Sequence, residues 1–347
     1  MQCEEAYEGT LGPILEIMMR GLRNAFLAVV LIGLPVTSFA KVSQSTTMDL
    51  SADAPIIELA AVSEEDALHK SSLDRDHFAR WTLPVTINGA GPFDFMVDTG
   101  AQTTVITHGV ADRLALEPNG SANLMALGGS RLVETVELNG LEFADHAFDS
   151  LTVPLLERLH VGADGIIGLD VLGNLRVLFD FTNDSLMIAP AQERASNLGY
   201  EIVVRGRRKS GRMIVTDADI DGVKTALIID TGAQTSYGND ALRRKLRARH
   251  IAMAKSTDVN GIVLNSSFTL AGTLRIASVA VSPISVGYSQ SPVFAQLDLE
   301  DRPALLLGME GLRGFDRVAI DFNTGKILFD LPREESLMPL PSFEFVP

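Results

Sequence analysis

Two aspartates of this chain lie within the same six-residue sequence, Asp-Thr-Gly-Ala-Gln-Thr, which begins at Asp98 and again at Asp230. Each copy follows a short apolar run. A chance identity of this length has a probability of about one in a thousand, so we interpret the copies as an internal repeat. Two carboxylates that are delivered by the same structural unit can share one proton. Such a pair can activate a water molecule for attack on an amide carbonyl.

The similarity extends to the segments that must position these residues. Upstream of each copy, a dipeptide typical of hairpin turns lies between apolar runs, Asn-Gly at 88–89 and Asp-Gly at 221–222. Downstream, Gly-Ile-Ile-Gly ends at Gly168 and Leu-Leu-Leu-Gly ends at Gly308. Both halves read mostly as short strands with one helix. The sequence therefore predicts an all-β fold of two similar units with a site between them.

This order of strand, Asp-Thr-Gly-Ala, glycine-rich hairpin and apolar pair with glycine resembles the retropepsin-type aspartic peptidases, and among them the bacterial single-chain members with two such units. The resemblance covers roughly residues 77–332. It implies two tandem retropepsin-like lobes that form a pseudo-twofold aspartic peptidase, with Asp98 and Asp230 as the catalytic pair. It also implies that Thr99 and Thr231 lock the two loops together.

Small residues beside each aspartate are part of the predicted site. Gly100 and Gly232 let the backbone turn tightly beside the carboxylates, where a side chain would block approach. Ala101 and Ala233 follow them. Alanine at this position fits the retropepsin type better than the serine or threonine common in pepsin-like enzymes.

Elements downstream of each aspartate are predicted to support the loops. Gly168 and Gly308 are expected to lie under the active loops, where backbone comes close to backbone. In the first unit a helix is predicted over residues 110–116. In the second, Leu242 and Leu246 lie four residues apart on one face of a predicted amphipathic helix.

Two glycine-containing turns are candidates for flaps that cover a substrate. Residues 127–130, with Gly128 and Gly129, lie between two strand-like segments and predict a hairpin that closes over substrate. An ordinary surface hairpin is the alternative. Asn260 and Gly261 form a weaker candidate for the second flap.

The function predicted from these features is hydrolysis of peptide bonds in an extended polypeptide, by an endopeptidase that uses an Asp/Asp-activated water. A single Asp-Thr-Gly is more often a turn at a strand end, and it is the matched pair that favours catalysis. A peptide-binding module on the same fold that does not cut is the alternative. A third possibility is a processing protease with one protein substrate near the membrane.

Other features narrow the class of protein. No histidines have the spacing of metal ligands, and no phosphate loop or nucleophile elbow occurs, so neither a metal nor a cofactor is predicted. The net charge of −15 argues against nucleic acid as a partner. Two complete units remove the need for dimerisation and predict a monomer. The basic run at 205–212 is interpreted as a solvated loop, with a docking patch for an acidic partner as the alternative.

The N-terminal region predicts export. Residues 18–40 combine Arg20 and Arg23, an apolar run and the small-x-small sequence Ser38-Phe39-Ala40, as in a secretory signal that is cleaved after Ala40. A periplasmic location and an envelope or periplasmic substrate follow from it, and an uncleaved anchor is the alternative. The predicted organisation is an N-terminal extension and signal peptide (1–40), a linker or pro-segment (41–75), a first lobe (76–193), a second lobe (194–335) and a tail (336–347).

Overall fold

The computed structural model describes residues 69–71, 74–75, 81–190, 200–209, 212–247 and 252–332. The predicted signal peptide, most of the predicted linker, the boundary between the predicted lobes and the C-terminal tail lie outside these residues.

Strands dominate the described chain, which confirms the prediction of an all-β fold. The strands up to the middle of the chain are β1 (His69–Ser71), β2 (Asp74–Arg75), β3 (Trp81–Ile87), β4 (Ala90–Val97), β5 (Val105–Thr107), β6 (Gly120–Ala126), β7 (Gly129–Leu138), β8 (Leu141–Phe143), β9 (His146–Phe148), β10 (Leu151–Leu156), β11 (Gly165–Ile167), β12 (Leu175–Asp180) and β13 (Ser185–Pro190). The later strands are β14 (Ile202–Arg205), β15 (Arg207–Lys209), β16 (Arg212–Val215), β17 (Ala218–Ile220), β18 (Val223–Lys224), β19 (Ala226–Ile229), β20 (Ser236–Gly238), β21 (Ala252–Thr257), β22 (Val263–Ala271), β23 (Leu274–Ile276), β24 (Val279–Val281), β25 (Ile284–Tyr288), β26 (Ala304–Leu307), β27 (Arg317–Asp321) and β28 (Lys326–Asp330).

The helices are short. They are α1 (His108–Arg113), α2 (Arg158–Val161), α3 (Leu169–Leu172), α4 (Asp240–Leu246), α5 (Pro292–Gln296) and α6 (Met309–Leu312). The helix predicted over 110–116 therefore begins and ends earlier, and the predicted amphipathic helix is α4. In the described ranges, no helix has the length and apolar character needed to cross a membrane.

Two separate sheets carry the two aspartates. We call residues 81–172 the first lobe and residues 207–312 the second lobe. In the first lobe, strands pair in the order β6-β7-β10-β5-β11-β4-β3, with β8 and β9 at the edge. In the second, the order is β21-β22-β25-β20-β26-β19-β16, with β15 at the edge. The two orders correspond strand for strand around the strands that end at the aspartates.

A third sheet joins the lobes. It has six strands in the order β1-β13-β12-β27-β28-β14, and all its neighbours are antiparallel. Its centre pairs β12 with β27, where Val177 lies opposite Ile320 and both side chains are fully buried. Apolar burial at this junction therefore ties the chain before the second lobe to the chain after it.

The hairpins before the aspartates form where the turn dipeptides predict them. Asn88 and Gly89 both have positive φ, as do Asp221 and Gly222, which is the backbone of a two-residue hairpin turn. The second hairpin differs from its prediction because its outgoing strand is interrupted at Thr225. The hydroxyl of Thr225 donates to the carbonyl of Val223 at 2.7 Å, and β19 begins after it in another sheet.

The interpretation of residues 205–212 as a loop is wrong for most of the described residues: Arg205 ends β14, β15 pairs with β16, and Arg212 begins β16. The expected contact with solvent holds for Arg205, Arg207 and Arg208, which are exposed. Arg212 is only 7% exposed. The local charge density that suggested a solvated segment does not reveal that one of these cations points into the protein.

Candidate active site

Each aspartate follows a strand whose last three residues are buried. Asp98 follows β4 and Asp230 follows β19, and these strands pair in parallel with β11 and β26. The amide of Asp98 donates to the carbonyl of Ile167, and the amide of Asp230 donates to that of Leu307, both at 3.1 Å. The sheets thus fix the backbone of both aspartates in the same way.

Each carboxylate is held by its own loop. Asp98 Oδ1 accepts hydrogen bonds from the amides of Gly100 at 2.7 Å and Ala101 at 3.1 Å. Asp230 Oδ1 accepts from the amides of Gly232 and Ala233, both at 3.1 Å.

The two loops are joined by Thr99 and Thr231, which are both buried. The amide of Thr99 donates to Thr231 Oγ1 at 3.1 Å, and the amide of Thr231 donates to Thr99 Oγ1 at 3.2 Å. Each hydroxyl in turn donates across the boundary, from Thr99 to the carbonyl of Ile229 at 3.0 Å and from Thr231 to that of Val97 at 2.8 Å. Four hydrogen bonds therefore hold the loops in one relative position.

The glycines of the loops face the opposite aspartates. A Cβ atom added to Gly100 would lie 2.6 Å from Cγ of Asp230, and one added to Gly232 would lie 2.1 Å from Oδ2 of Asp98. Any side chain at these positions would collide with a carboxylate. The glycines thus allow the two loops to approach each other closely, in addition to allowing the tight turn that the sequence predicts.

Burial, together with the neighbouring carboxylate of Asp98, changes the protonation of Asp230. The pKa of Asp230 is raised from its ordinary value of 3.8 to about 7, first by burial and second by the charge of Asp98. Arg212 and the amides of Ala233 and Gly232 act in the opposite direction, because they favour the ionised carboxylate. Asp230 is thus able to hold a proton near neutral pH beside a second carboxylate.

Gly168 and Gly308 lie against the backbone of the active loops. A Cβ atom on Gly168 would lie 2.4 Å from the carbonyl carbon of Thr103, and one on Gly308 would lie 2.7 Å from the carbonyl oxygen of Thr235. Neither glycine has a positive φ, so available space is the reason for glycine here.

The residues after these glycines hold the carbonyls of the loop alanines. The amide of Leu169 donates to Ala101 at 2.9 Å, and the amide of Met309 donates to Ala233 at 2.8 Å. Both alanines therefore anchor their loops to the segment beneath them through the backbone.

Two buried hydroxyls that the sequence analysis missed support the same loops. Thr104 Oγ1 accepts from the amide of Gly168 at 3.1 Å, and Ser236 Oγ accepts from the amide of Gly308 at 3.2 Å. Thr104 also donates to Asp170 at 2.8 Å. Each hydroxyl lies six residues after its aspartate (104 − 98 and 236 − 230), so extending the repeat by one residue would have found the pair.

The predicted flaps are both hairpin tips. The first turn is formed by residues 127–128, so Gly129 is the first residue of β7 and does not belong to the turn. The second tip spans residues 258–262, with Gly261 at φ +76°. A Cβ atom on Gly261 would lie 2.8 Å from Cε1 of His160, so this tip rests on the first lobe.

The two flap tips bind each other. The amide of Gly128 donates to Asp258 Oδ2 at 2.8 Å. Asn260 Nδ2 donates to the carbonyl of Gly129 at 3.3 Å, and Arg131 Nη1 donates to the carbonyl of Asn260 at 2.8 Å. Sequence reasoning missed Asp258 and Arg131, because their partners are about 130 residues away in the chain.

Each flap also packs on an apolar cluster of the other lobe. Leu127 of the first flap packs on the apolar cluster that contains Ile228, two residues before Asp230. Val259 of the second flap packs on the cluster that contains Met96, two residues before Asp98. Each hairpin tip therefore rests on the lobe opposite its own.

Arg212 is a further residue of the site that sequence reasoning missed. Its Nε donates to the carbonyl of Gly100 at 2.6 Å and its Nη1 donates to Gln296 Oε1 at 3.3 Å. Arg212 and Arg80 each lie 18 residues before an aspartate (230 − 212 and 98 − 80), and this repeated position is the signal that could have singled it out. Arg80 lies outside the described residues.

The described part of the chain contains no group of three or more histidine, cysteine, aspartate or glutamate side chains that could hold a metal ion. The donors around Asp98 and Asp230 are backbone amides, hydroxyls and a guanidinium. This set suits a pair of carboxylates and a water molecule.

The comparison with known families agrees with this geometry. The family model described as aspartyl protease matches residues 83–171, which include the first Asp-Thr-Gly loop, the first flap and Gly168. The match supports an aspartic protease family and protease activity in general. No curated protein matches the chain.

Proposed function

We propose that this chain is an aspartic endopeptidase of the single-chain, two-repeat retropepsin-like type, in which the two lobes are related by a pseudo-twofold axis. The observation that carries the proposal is the matched pair of loops. Asp98 and Asp230 are held by equivalent amides, and the glycine of each loop faces the carboxylate of the other. Two carboxylates in this arrangement fit the shared-proton chemistry of amide hydrolysis.

The protonation of the pair suggests a division of roles. With its pKa raised to about 7, Asp230 is the partner that holds the proton. Asp98 takes a proton from water as the water oxygen bonds to the peptide carbonyl carbon, and Asp230 gives its proton to the carbonyl oxygen. Asp98 then protonates the amide nitrogen, and Asp230 recovers a proton from one hydroxyl as the C–N bond breaks. The products are a carboxylic acid and an amine, and both aspartates return to their starting states.

The substrate in this proposal is an extended polypeptide that lies between the aspartates and the flap tips. Leu127 and Val259, which are half-buried at the flap tips, support contact with apolar side chains of the substrate. The protein would act as a monomer on envelope or periplasmic proteins. Export rests on the signal-like residues 18–40, and N-terminal sequencing of the protein from cells, with Lys41 as the expected first residue, tests it.

The test of catalysis is cleavage of an unstructured protein mixture from pH 3 to 8. The wild type is compared with Asp98→Asn and Asp230→Asn, which preserve shape, and with Asp112→Asn on the exposed face of α1 as a control. We expect cleavage by the wild type and the control, and a loss of at least about a thousandfold in both site variants. Binding of extended peptides without cleavage by the wild type would instead identify a peptide-binding module.

A further inference from the structure

Among the described residues, the hydrogen-bond partners of the Arg212 side chain are both neutral. Arg212 lies at the start of β16 and is 7% exposed. Its two hydrogen bonds go to the Gly100 carbonyl and the Gln296 side-chain oxygen. A buried guanidinium is costly unless negative charge compensates it. Within the part of the chain that the structure describes, Asp230 is the acidic side chain with which Arg212 interacts electrostatically.

The residue that Arg212 binds touches both carboxylates. The amide of Gly100 donates to Asp98 Oδ1 at 2.7 Å. Its Cα faces the carboxyl group of Asp230 so closely that an added Cβ atom would collide with that group. Arg212 belongs to the second lobe and Gly100 to the first. A movement of the Arg212 side chain would therefore displace the Gly100–Ala101 peptide group, whose amide donates to Asp98 Oδ1 at 3.1 Å.

Two charges act on Asp230 in the described chain. Asp98 follows β4 and disfavours the ionised form of Asp230, while Arg212 on β16 favours it. The adjacent helix α5 contributes Gln296, which is neutral and lies at the exposed end of the helix. Arg212 thus opposes both burial and the Asp98 charge, which alone would keep Asp230 protonated to a higher pH.

We propose that Arg212 is a positioning residue for the aspartate pair: it holds the Gly100 peptide across the lobe boundary and sets the pH range in which the pair carries one shared proton. This inference rests on the proposed peptidase function. Arg212 acts through Gly100 and through its charge, and it does not touch the peptide that is cleaved.

Three variants separate its two roles. Arg212→Gln removes the charge and keeps a donor, and Arg212→Lys keeps the charge and loses the forked donor geometry. Gln296→Glu places a carboxylate against the guanidinium and changes only an exposed side chain. It is therefore expected to fold, and it tests the role of the charge even where Arg212→Gln fails to fold. For each variant, kcat and KM are measured with one peptide from pH 3 to 8, together with Tm.

We expect the alkaline limb of the kcat/KM profile, at which Asp230 loses its proton, to move to higher pH by about one unit in Arg212→Gln, and by a smaller amount in the same direction in Gln296→Glu. In Arg212→Lys the profile should keep its position while kcat falls about tenfold and KM changes less than about threefold. A merely structural role would lower Tm without moving the profile. An unmoved profile in Gln296→Glu and in any folded Arg212→Gln would overturn the proposal.

A second readout does not depend on cleavage. The carboxyl ¹³C resonances of labelled aspartate are titrated in the wild type, in Gln296→Glu and in Arg212→Gln, and Asp230→Asn identifies the resonance of Asp230. If the wild type cuts no peptide, the proposed function fails. The resonance of Asp230 should still titrate at higher pH in the two charge variants, and its failure to shift would overturn the role of Arg212.

Discussion

Thr99 and Thr231 exchange hydrogen bonds across the boundary between the lobes, each through its amide to the hydroxyl of the other. Each hydroxyl also donates to the strand that ends at the opposite aspartate. The position of one carboxylate relative to the other is therefore set by two side chains that do not belong to the aspartates themselves.

Thr231→Ala tests how much the hydrogen bonds of the Thr231 hydroxyl contribute to stability and to cleavage. The change leaves the amide of Thr99 and the carbonyl of Val97 without their buried partner, which we expect to lower the free energy of unfolding by about 2–4 kcal/mol. Cleavage should fall at least about tenfold, because the loops lose their fixed separation. Denaturant unfolding and kcat/KM measure the two effects.

The matched control is Thr231→Ser, which removes the methyl group and retains the hydroxyl. It should keep most of the stability and activity. Equal losses in Thr231→Ala and Thr231→Ser would mean that packing of the methyl group, and not the hydrogen bonds, holds the loops.

The flap contacts predict a second variant, Asn260→Ala. Asn260 is 2% exposed, and its amide nitrogen donates to the carbonyls of Leu124 at 3.0 Å and Gly129 at 3.3 Å. Without these bonds the first flap should open more often, so amide hydrogen exchange at residues 124–130 should accelerate by about tenfold. Hydrogen exchange followed by mass spectrometry measures this directly.

Ser121→Ala, at an exposed position of β6 in the same hairpin, is the control for the flap experiment. Exchange at 124–130 should be the same in this variant and in the wild type. Unchanged exchange in Asn260→Ala would show that the second flap does not restrain the first through this side chain.

The lack of space beneath the first active loop predicts that Gly168→Ala lowers both stability and cleavage. The added methyl group would lie 2.4 Å from the Thr103 carbonyl carbon, which is backbone and must move with its loop. We expect a loss of about 3 kcal/mol in the free energy of unfolding and a large drop in cleavage. Gly109→Ala in α1, where nothing lies within 4 Å, should be neutral or stabilising by up to about 1 kcal/mol. Similar stability of the two variants would contradict the close approach.

Much of this architecture could be predicted because its signals are local. The turn dipeptides at 88–89 and 221–222 adopt the positive φ values that their residue types favour, and the apolar runs before each aspartate become buried strands. Gly129 was assigned to the flap turn although it begins β7, an error of one position at an element boundary.

The remaining features depend on partners that are distant in sequence. Arg212 lies in a basic run whose composition indicates solvent exposure, and only its contact with Gly100, 112 residues away, reveals its burial. Asp258 and Gly128 are 130 residues apart and meet only once both lobes have folded. A repeat in the sequence predicts the equivalent parts of the two units but does not predict how the side chains of one unit meet the other.

Removal of the Asp230 charge should change how stability depends on pH. Because the pKa of this carboxyl is raised in the folded protein, the folded state binds the proton more tightly than the unfolded state does. The contribution of Asp230 to the free energy of unfolding of the wild type is therefore highest below pH 4. It declines as the pH rises toward about 7, where the buried carboxyl group must become charged. Asp230→Asn carries no such charge, so at pH 7.5 it should be more stable than the wild type by about 1–3 kcal/mol, with the gap closing near pH 4. Asp112→Asn, an exposed change of the same type, should follow the wild type at every pH. Thermal unfolding from pH 4 to 8 measures the stability of all three proteins. If the difference in stability between Asp230→Asn and the wild type does not depend on pH, then Asp230 does not hold a proton in the folded state near neutrality.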